Sequence, residues 1–287
     1  MDENQIEEEH LADLESAASI VAGALLAYLL WQRRKIVTNM REYFVPSRVW
    51  EGVSEIEQVT ALRNRLTPVI EEVVEATVIK ESTRIPGSTM KRRPKPVEPA
   101  VAYRRRLRKM GYTLPDGLKN ASSGVASRVM EGSYWGDAAI QQLTRAEEEL
   151  AKSIKENQNK RDAITRVVER LEQEAKWRAE AIGETEANAA INGGRAIVAD
   201  VRSAAGVEDS KTWMTVADER VRKTHQALHM VQVPRTAMFN VGGHLAPHPG
   251  WWQLPIQERI RCRCFLWVGA GADTFDYPLE PEFRTTV

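Results

Sequence analysis

Apolar residues dominate the chain from Ala17 to Trp31, where only Ser19 interrupts, and Arg33-Arg34-Lys35 follow directly. The pattern predicts a first helix over about Leu11 to Met40, so apolar in its middle that protein must cover most of its circumference. A second helical region follows over residues 53 to 82, where Val59, Leu62, Leu66, Val69 and Val73 recur at spacings of three and four; Pro68 inside it predicts a kink or break. Between Ser123 and Ile191 the chain again reads as helix. Leu150 and Ile154, then Ile164, Val168, Leu171 and Ala175, fall at heptad-like spacing, which predicts one long amphipathic helix or a hairpin broken near Asn157-Gln158-Asn159. Asn192-Gly193-Gly194 predicts a bend at its end.

After Gly206 the period shortens. Lys211 to Val216 and Arg261 to Val268 read as strands rich in Trp, Thr, Val, Phe and Ile, with a helix over about Asp218 to His229 and a Gly/Pro/His loop from Gly242 to Pro255 between them. The fold class expected is therefore α+β: mostly helical through the N-terminal two thirds, with a small C-terminal α+β domain. The divisions are a helical region at 1–82, a basic proline-rich linker at 83–115, a long helical segment at 116–183, an α+β domain at 184–271 and a C-terminal arm at 272–287.

Composition is that of an ordinary soluble protein, with 43% hydrophobic and 28% charged residues in 287. The net charge is zero, but the charges are segregated. Seven acids and no Lys or Arg occupy residues 1 to 15, whereas residues 84 to 109 carry ten Lys or Arg against the single acid Glu98. Such local fields are what partners sense. Lys91, Arg92, Arg93, Lys95, Arg104, Arg105, Arg106, Arg108 and Lys109, with Tyr103 and Tyr112 nearby, fit non-specific contact with the phosphates of double-stranded DNA; a solvated linker is the plainer alternative. The acidic start argues against a secretory signal. The 15-residue apolar stretch of the first helix falls short of the roughly 20 residues that cross a bilayer, so a buried helix is expected and a membrane partner is not.

Two cysteines one residue apart, Cys262 and Cys264, cannot staple distant parts of the chain, which suits a reducing compartment. Residues two apart in a strand point to one side, so both thiols could meet His225 and His229, four apart on one helical face. Two readings follow. The cysteines are inert core residues under the helix, or His225, His229, Cys262 and Cys264 hold a structural zinc in a tetrahedron, although Cys-x-Cys is tighter than the usual Cys-x-x-Cys knuckle. Asp218 is expected to cap the predicted helix, and a buried Glu186 to pair with Arg220 or Arg222. His244 and His248 lie in the Gly-rich loop without a carboxylate pair, a Ser/His/Asp order or a phosphate-cradling glycine motif to accompany them.

The order of these residues is informative. Glu184-Thr185-Glu186 ends a helix; Lys211-Thr212-Trp213 follows, then Asp218-Glu219-Arg220-Val221-Arg222-Lys223-Thr224-His225, and last Arg261-Cys262-Arg263-Cys264. This run, over roughly residues 120 to 268, resembles the phage Mu F-like head morphogenesis family of minor capsid proteins, whose members carry an Arg-Thr-Glu-like signature, a Lys-x-Trp strand, an Asp-x-Arg-Val-Arg-x-x-His segment and a closing Cys-Arg-Cys. The matching positions are Glu186, Trp213, Asp218, Arg220, Arg222, His225, Cys262 and Cys264; Glu184 stands where the family usually has Arg. The resemblance implies a minor capsid protein of a phage or prophage, not an enzyme, without cofactor or small-molecule substrate. It would associate with the portal and with capsid or scaffold proteins, assembling in the host cytoplasm and residing inside the virion, where it aids procapsid assembly and DNA packaging or ejection. The alternative is a DNA-binding or nuclease-like protein that uses the C-terminal His/Cys cluster.

Overall fold

Helix α1 (Glu3–Glu42) starts well before the apolar stretch, because Ile6, Leu14 and Ala17 already fall on the buried face. The computed structural model describes residues 3–82, 116–131, 135–204, 210–216 and 218–268, with Ala102, Arg105, Lys109 and Leu114 besides. A 3-10 turn at Pro46–Arg48 leads into α2 (Glu55–Ser82); then come α3 (Asp116–Glu131), α4 (Trp135–Lys155) and α5 (Lys160–Ala204). Residues 83–100 of the linker and the arm at 272–287 lie outside the described residues. The expected α+β class is what the chain adopts: helices to Ala204, then short strands.

Helix α5 is the hub. Its first turns meet α4 and the end of α1 around Ile36, Met40, Leu150, Val167 and Leu171. Farther along, Ala179, Ile182 and Ala190 join Val21 and Leu25 of α1, Ile70 and Val73 of α2, and Ala126 of α3 in one larger core. One face of the apolar middle of α1 is therefore covered by this chain's own α2 and α5, with 33% of its apolar 18-residue window buried. At 40 residues the helix is long and apolar enough to cross a membrane. What speaks for a core helix is the burial of Val21, Leu25, Tyr28 and Leu29, no more than 1% exposed each. A groove of about 660 Å³ remains beside α1, lined by Ala18, Ala22, Gly23 and Leu26 with Lys176 and Glu180 of α5.

The acidic start is partly consumed inside the fold. Lys80, near the end of α2 and 1% exposed, donates to both carboxylate oxygens of Asp13 at 2.9 Å and lies 3.9 Å from Glu9. Nearby, Arg195 donates Nε–H to Glu81 at 3.1 Å and meets His10 Nδ1 at 3.1 Å, while His10 Nε2 lies 3.1 Å from the Arg263 carbonyl. Burial, then the Arg195 charge, pushes the His10 pKa well down, so the ring is neutral and links α1 to the C-terminal region.

Two breaker signals behave differently. The hairpin break falls where Asn157-Gln158-Asn159 predicts it: Asn157 takes φ +55°, and Asn159 Oδ1 accepts the Asp162 N–H at 2.9 Å to start α5. Pro68 does not break α2, which the burial of Leu66 and Ile70 holds on either side. Nor do Gly193 and Gly194 bend the chain, since α5 continues to Ala204. They are contact points instead. A Cβ on Gly194 would stand 2.9 Å from Thr77 Cβ and 3.0 Å from the Val74 carbonyl of α2. One on Gly183 would stand 2.8 Å from the Ala18 carbonyl of α1. Missing side chains let the helices cross closely, which outweighs the helix propensity that glycine gives up.

The C-terminal region carries an antiparallel sheet ordered β2-β1-β5, from β1 (Ser210–Met214), β2 (Val231–Pro234) and β5 (Phe265–Trp267). A separate hairpin joins β3 (Phe239–Val241) to β4 (His244–Ala246), so part of the expected loop is strand. The expected helix over Asp218 to His229 shrinks to α6 (Lys223–Gln226), and α7 (Ile256–Arg259) is equally short. Trp213, Phe239, Val241, Leu254, Cys262 and Cys264 form the core between them.

Candidate functional site

The C-terminal region is pinned to α5 by polar side chains within one stretch of that helix. Asn192, fully buried, accepts the Leu266 N–H at 2.7 Å through Oδ1 and donates to the Cys264 carbonyl at 3.1 Å through Nδ2. Its amide thus stands in for the strand that β5 lacks on that edge, satisfying backbone groups that burial would otherwise orphan. About two turns upstream, Thr185 Oγ1 accepts the Arg261 N–H at 2.9 Å. Glu186, 0% exposed, receives Arg259 Nη2 at 3.3 Å on both oxygens, and Arg259 also donates to the Trp252 carbonyl at 3.2 Å. Glu186 therefore pairs with Arg259, and not with Arg220 or Arg222 as expected: it faces α7, whereas those two arginines lie on the segment before α6.

Burial raises the Glu186 pKa to about 7, with the Arg259 charge pulling the other way. Between the ordinary carboxylate range and about 7 the folded chain keeps a proton that the unfolded chain has lost. Stability therefore falls as pH rises through that window and levels off above it. Denaturant midpoints measured from about pH 5 to about pH 8 should show this fall in the parent and a flatter profile in Glu186→Gln. Parallel profiles in the two proteins would contradict the assignment.

Asp218 does not cap a helix. Its Oδ1 accepts the Arg220 N–H at 3.0 Å in an Asx-type turn, and its Oδ2 is paired with Arg263 of the Cys-Arg-Cys segment. Burial disfavours its charge, but the hydrogen bonds from Arg263 and the Arg220 amide lower its pKa overall. Arg222 reaches the Ile260 carbonyl, while Arg220 is exposed and 3.7 Å from Asp218. The Asp-x-Arg-x-Arg spacing thus ties the turn before α6 to the strand-leading segment 260–264.

His225 lies at the centre, 1% exposed, with Nδ1 3.3 Å from Cys264 Sγ and 3.5 Å from Cys262 Sγ. The three ligand atoms lie within 4.8 Å of one another. Nε2 is 3.0 Å from Glu258 Oε2, at ion-pair distance, although the ring N–H is not aimed as a hydrogen bond requires. Glu258 also accepts the Thr224 hydroxyl at 2.9 Å. The buried Trp213 ring stands edge-on to His225 at 5.5 Å. The Cys264 thiol, then His225, depresses the Cys262 pKa well below that of an ordinary thiol, and Cys264 is raised in turn.

His229 does not join this group. Helix α6 ends three residues before it, and its Nδ1 meets Thr215 instead, 3.2 Å from the amide and 2.9 Å from the hydroxyl. The four-ligand set expected from the sequence is thus reduced to three. His244 is exposed on β4, and His248 is buried against Trp251 with its pKa lowered to about 4 by burial, so neither histidine belongs to the cluster. Of the basic segment, Arg105 and Lys109 are helical and exposed, Arg105 lying 3.8 Å from Glu72. Lys91, Arg92, Arg93, Lys95, Arg104, Arg106 and Arg108 lie outside the described residues.

The profile of the family described as Phage Mu protein F like protein matches residues 144–267, from α4 through β5. Over this stretch, less than half of the chain, the sequence is similar to that family. The match takes in the whole of α5 and each side chain that pins the Mu F-like region to it, along with His225, Cys262 and Cys264. It leaves out α1, α2 and α3, although these helices bury the same α5. No curated protein and no solved structure matched the chain. The residues that sequence reasoning missed are Thr185 as an acceptor, Asn192, Arg259, Glu258 and His10. A signal existed for Asn192 alone: with Asn188 it is one of two amides four apart in the otherwise apolar run from Ala187 to Asn192.

Proposed function

We propose that this Mu F-like protein is a minor capsid protein of a phage or prophage, present in few copies, that joins the portal inside the head during assembly and aids DNA packaging or ejection. The observation that carries the reading is the coincidence of the family match with the clamped region. Glu186, Trp213, His225, Cys262 and Cys264 are all buried, and Asp218 and Arg222 bond to their own chain. Side chains used this way build a shape for a partner to recognise, and the family is one of phage head morphogenesis.

The exposed Arg105 and Lys109 support a DNA role for the basic segment of the same protein, working beside packaged DNA. Co-expressed with the portal of its own phage, the full chain should co-purify with it; a monomer that ignores the portal contradicts the proposal. Removal of residues 1–40 is no test of this, because α1 is part of the core. Binding to duplex DNA should show little sequence preference and weaken steeply with salt, by about 0.9 in log–log slope for each phosphate contact. Deleting Met90 to Lys109 should remove most of it; equal binding by the deletion variant would leave that segment a linker. Cleavage of DNA by the pure protein would favour the nuclease alternative.

A further inference from the structure

We propose that His225 Nδ1, Cys262 Sγ and Cys264 Sγ bind a structural zinc ion, with Glu258 orienting the imidazole from its Nε2 side. Zinc–sulfur bonds of about 2.3 Å and zinc–nitrogen bonds of about 2.0–2.1 Å at a tetrahedral angle set nitrogen and sulfur roughly 3.5 Å apart. The observed separations are 3.3 and 3.5 Å. Without a cation, one imidazole nitrogen faces two thiols and can serve only one of them well, since it offers a single lone pair or a single hydrogen. With one, each sulfur and the nitrogen direct a lone pair at the same point.

The surroundings agree in three ways. All three side chains are no more than 3% exposed, so water contributes little to holding the charge, and two thiolates with a neutral imidazole balance a divalent cation. A carboxylate behind the second nitrogen of a ligating histidine is the usual device for orienting it, and Glu258, held by Thr224, stands there at an ion-pair distance of 3.0 Å, though not aligned as a hydrogen bond. The Trp213 indole N–H is buried, belongs to the ring that packs on His225 and acts on the Cys264 thiol as a donor that favours its thiolate.

The ion would join three pieces of chain that no regular element connects: α6, the loop before β5 and, through Glu258, α7. This also gives Cys-x-Cys a use that strand pairing does not, because both residues precede β5.

The full chain, purified with a tag that does not bind metal and without added zinc, should carry about one zinc per molecule by mass spectrometry. A chelator should remove it and lower the melting temperature. Refilling with cobalt should give thiolate-to-metal charge-transfer absorption, which two sulfur ligands produce and buried inert thiols do not. His225→Ala and Cys264→Ser should lose the metal, whereas His229→Ala should keep it. Glu258→Gln should keep the fold but release zinc to a chelator about 10–100-fold more readily. Folded parent protein that holds no zinc, takes up no cobalt and melts unchanged in chelator would overturn the proposal. Loss of the metal from His229→Ala would overturn this ligand set.

Discussion

Lys80→Met should destabilise the protein by about 3–5 kcal/mol, the usual cost of leaving a buried charge without its partner. The lysine donates to both oxygens of Asp13, 3% exposed, and lies near Glu9, 6% exposed. Methionine matches the stem but removes the charge, so two carboxylates would face each other out of water. At this chain length each kcal/mol lowers the melting temperature by roughly 2–4 °C, so a drop of about 10 °C is expected. Lys80→Met combined with Asp13→Leu should recover part of the loss, because replacing a buried ion pair by apolar groups is far less costly than breaking it. A melting temperature that Lys80→Met leaves unchanged would mean that α1 and α2 do not hold this charge cluster inside.

Asn192→Ala should cost about 2–6 kcal/mol, since it strands the Leu266 N–H and the Cys264 carbonyl in the core at about 1–3 kcal/mol each. The loss should be local first. Hydrogen exchange at β5 and the 260–264 segment should speed up more than exchange in α1 and α2. Asn192→Asp separates the two bonds, because a carboxylate still accepts from Leu266 but repels the Cys264 carbonyl; it should be at least as damaging as Ala in that buried place. Uniform loss of protection along the whole chain would show instead that Asn192 supports α5 generally.

Both residues show what a sequence does and does not display. Apolar spacing made α1 and α2 legible, and Asn157-Gln158-Asn159 marked the turn between α4 and α5 because asparagine tolerates a positive φ there. Gly193 and Gly194 misled, since a glycine that breaks a helix and one that admits a neighbouring helix look identical until the neighbour is known. The strands β2, β3 and β4 are three or four residues long, too short for a period to emerge. The cluster of His225 with Cys262 and Cys264 was legible, because the chain's two cysteines sit together in one Cys-x-Cys and its few histidines put His225 in the same part of the chain. His229 stays outside it, because α6 is four residues long where the pattern predicts about three turns. The pairing of Glu186 with Arg259 spans 73 residues, and nothing in the local pattern selects Arg259 from the other arginines.

The proposed role in head morphogenesis is tested most directly by what assembled particles contain. The chain should be expressed with the portal, scaffold and major capsid proteins of its own phage, and the procapsids purified by density and analysed by quantitative mass spectrometry. The account predicts a few copies of the chain per particle, protected from added protease, and their loss when the portal gene is omitted. Complete portal-bearing procapsids that exclude the chain, with all of it left free in solution, would contradict the account.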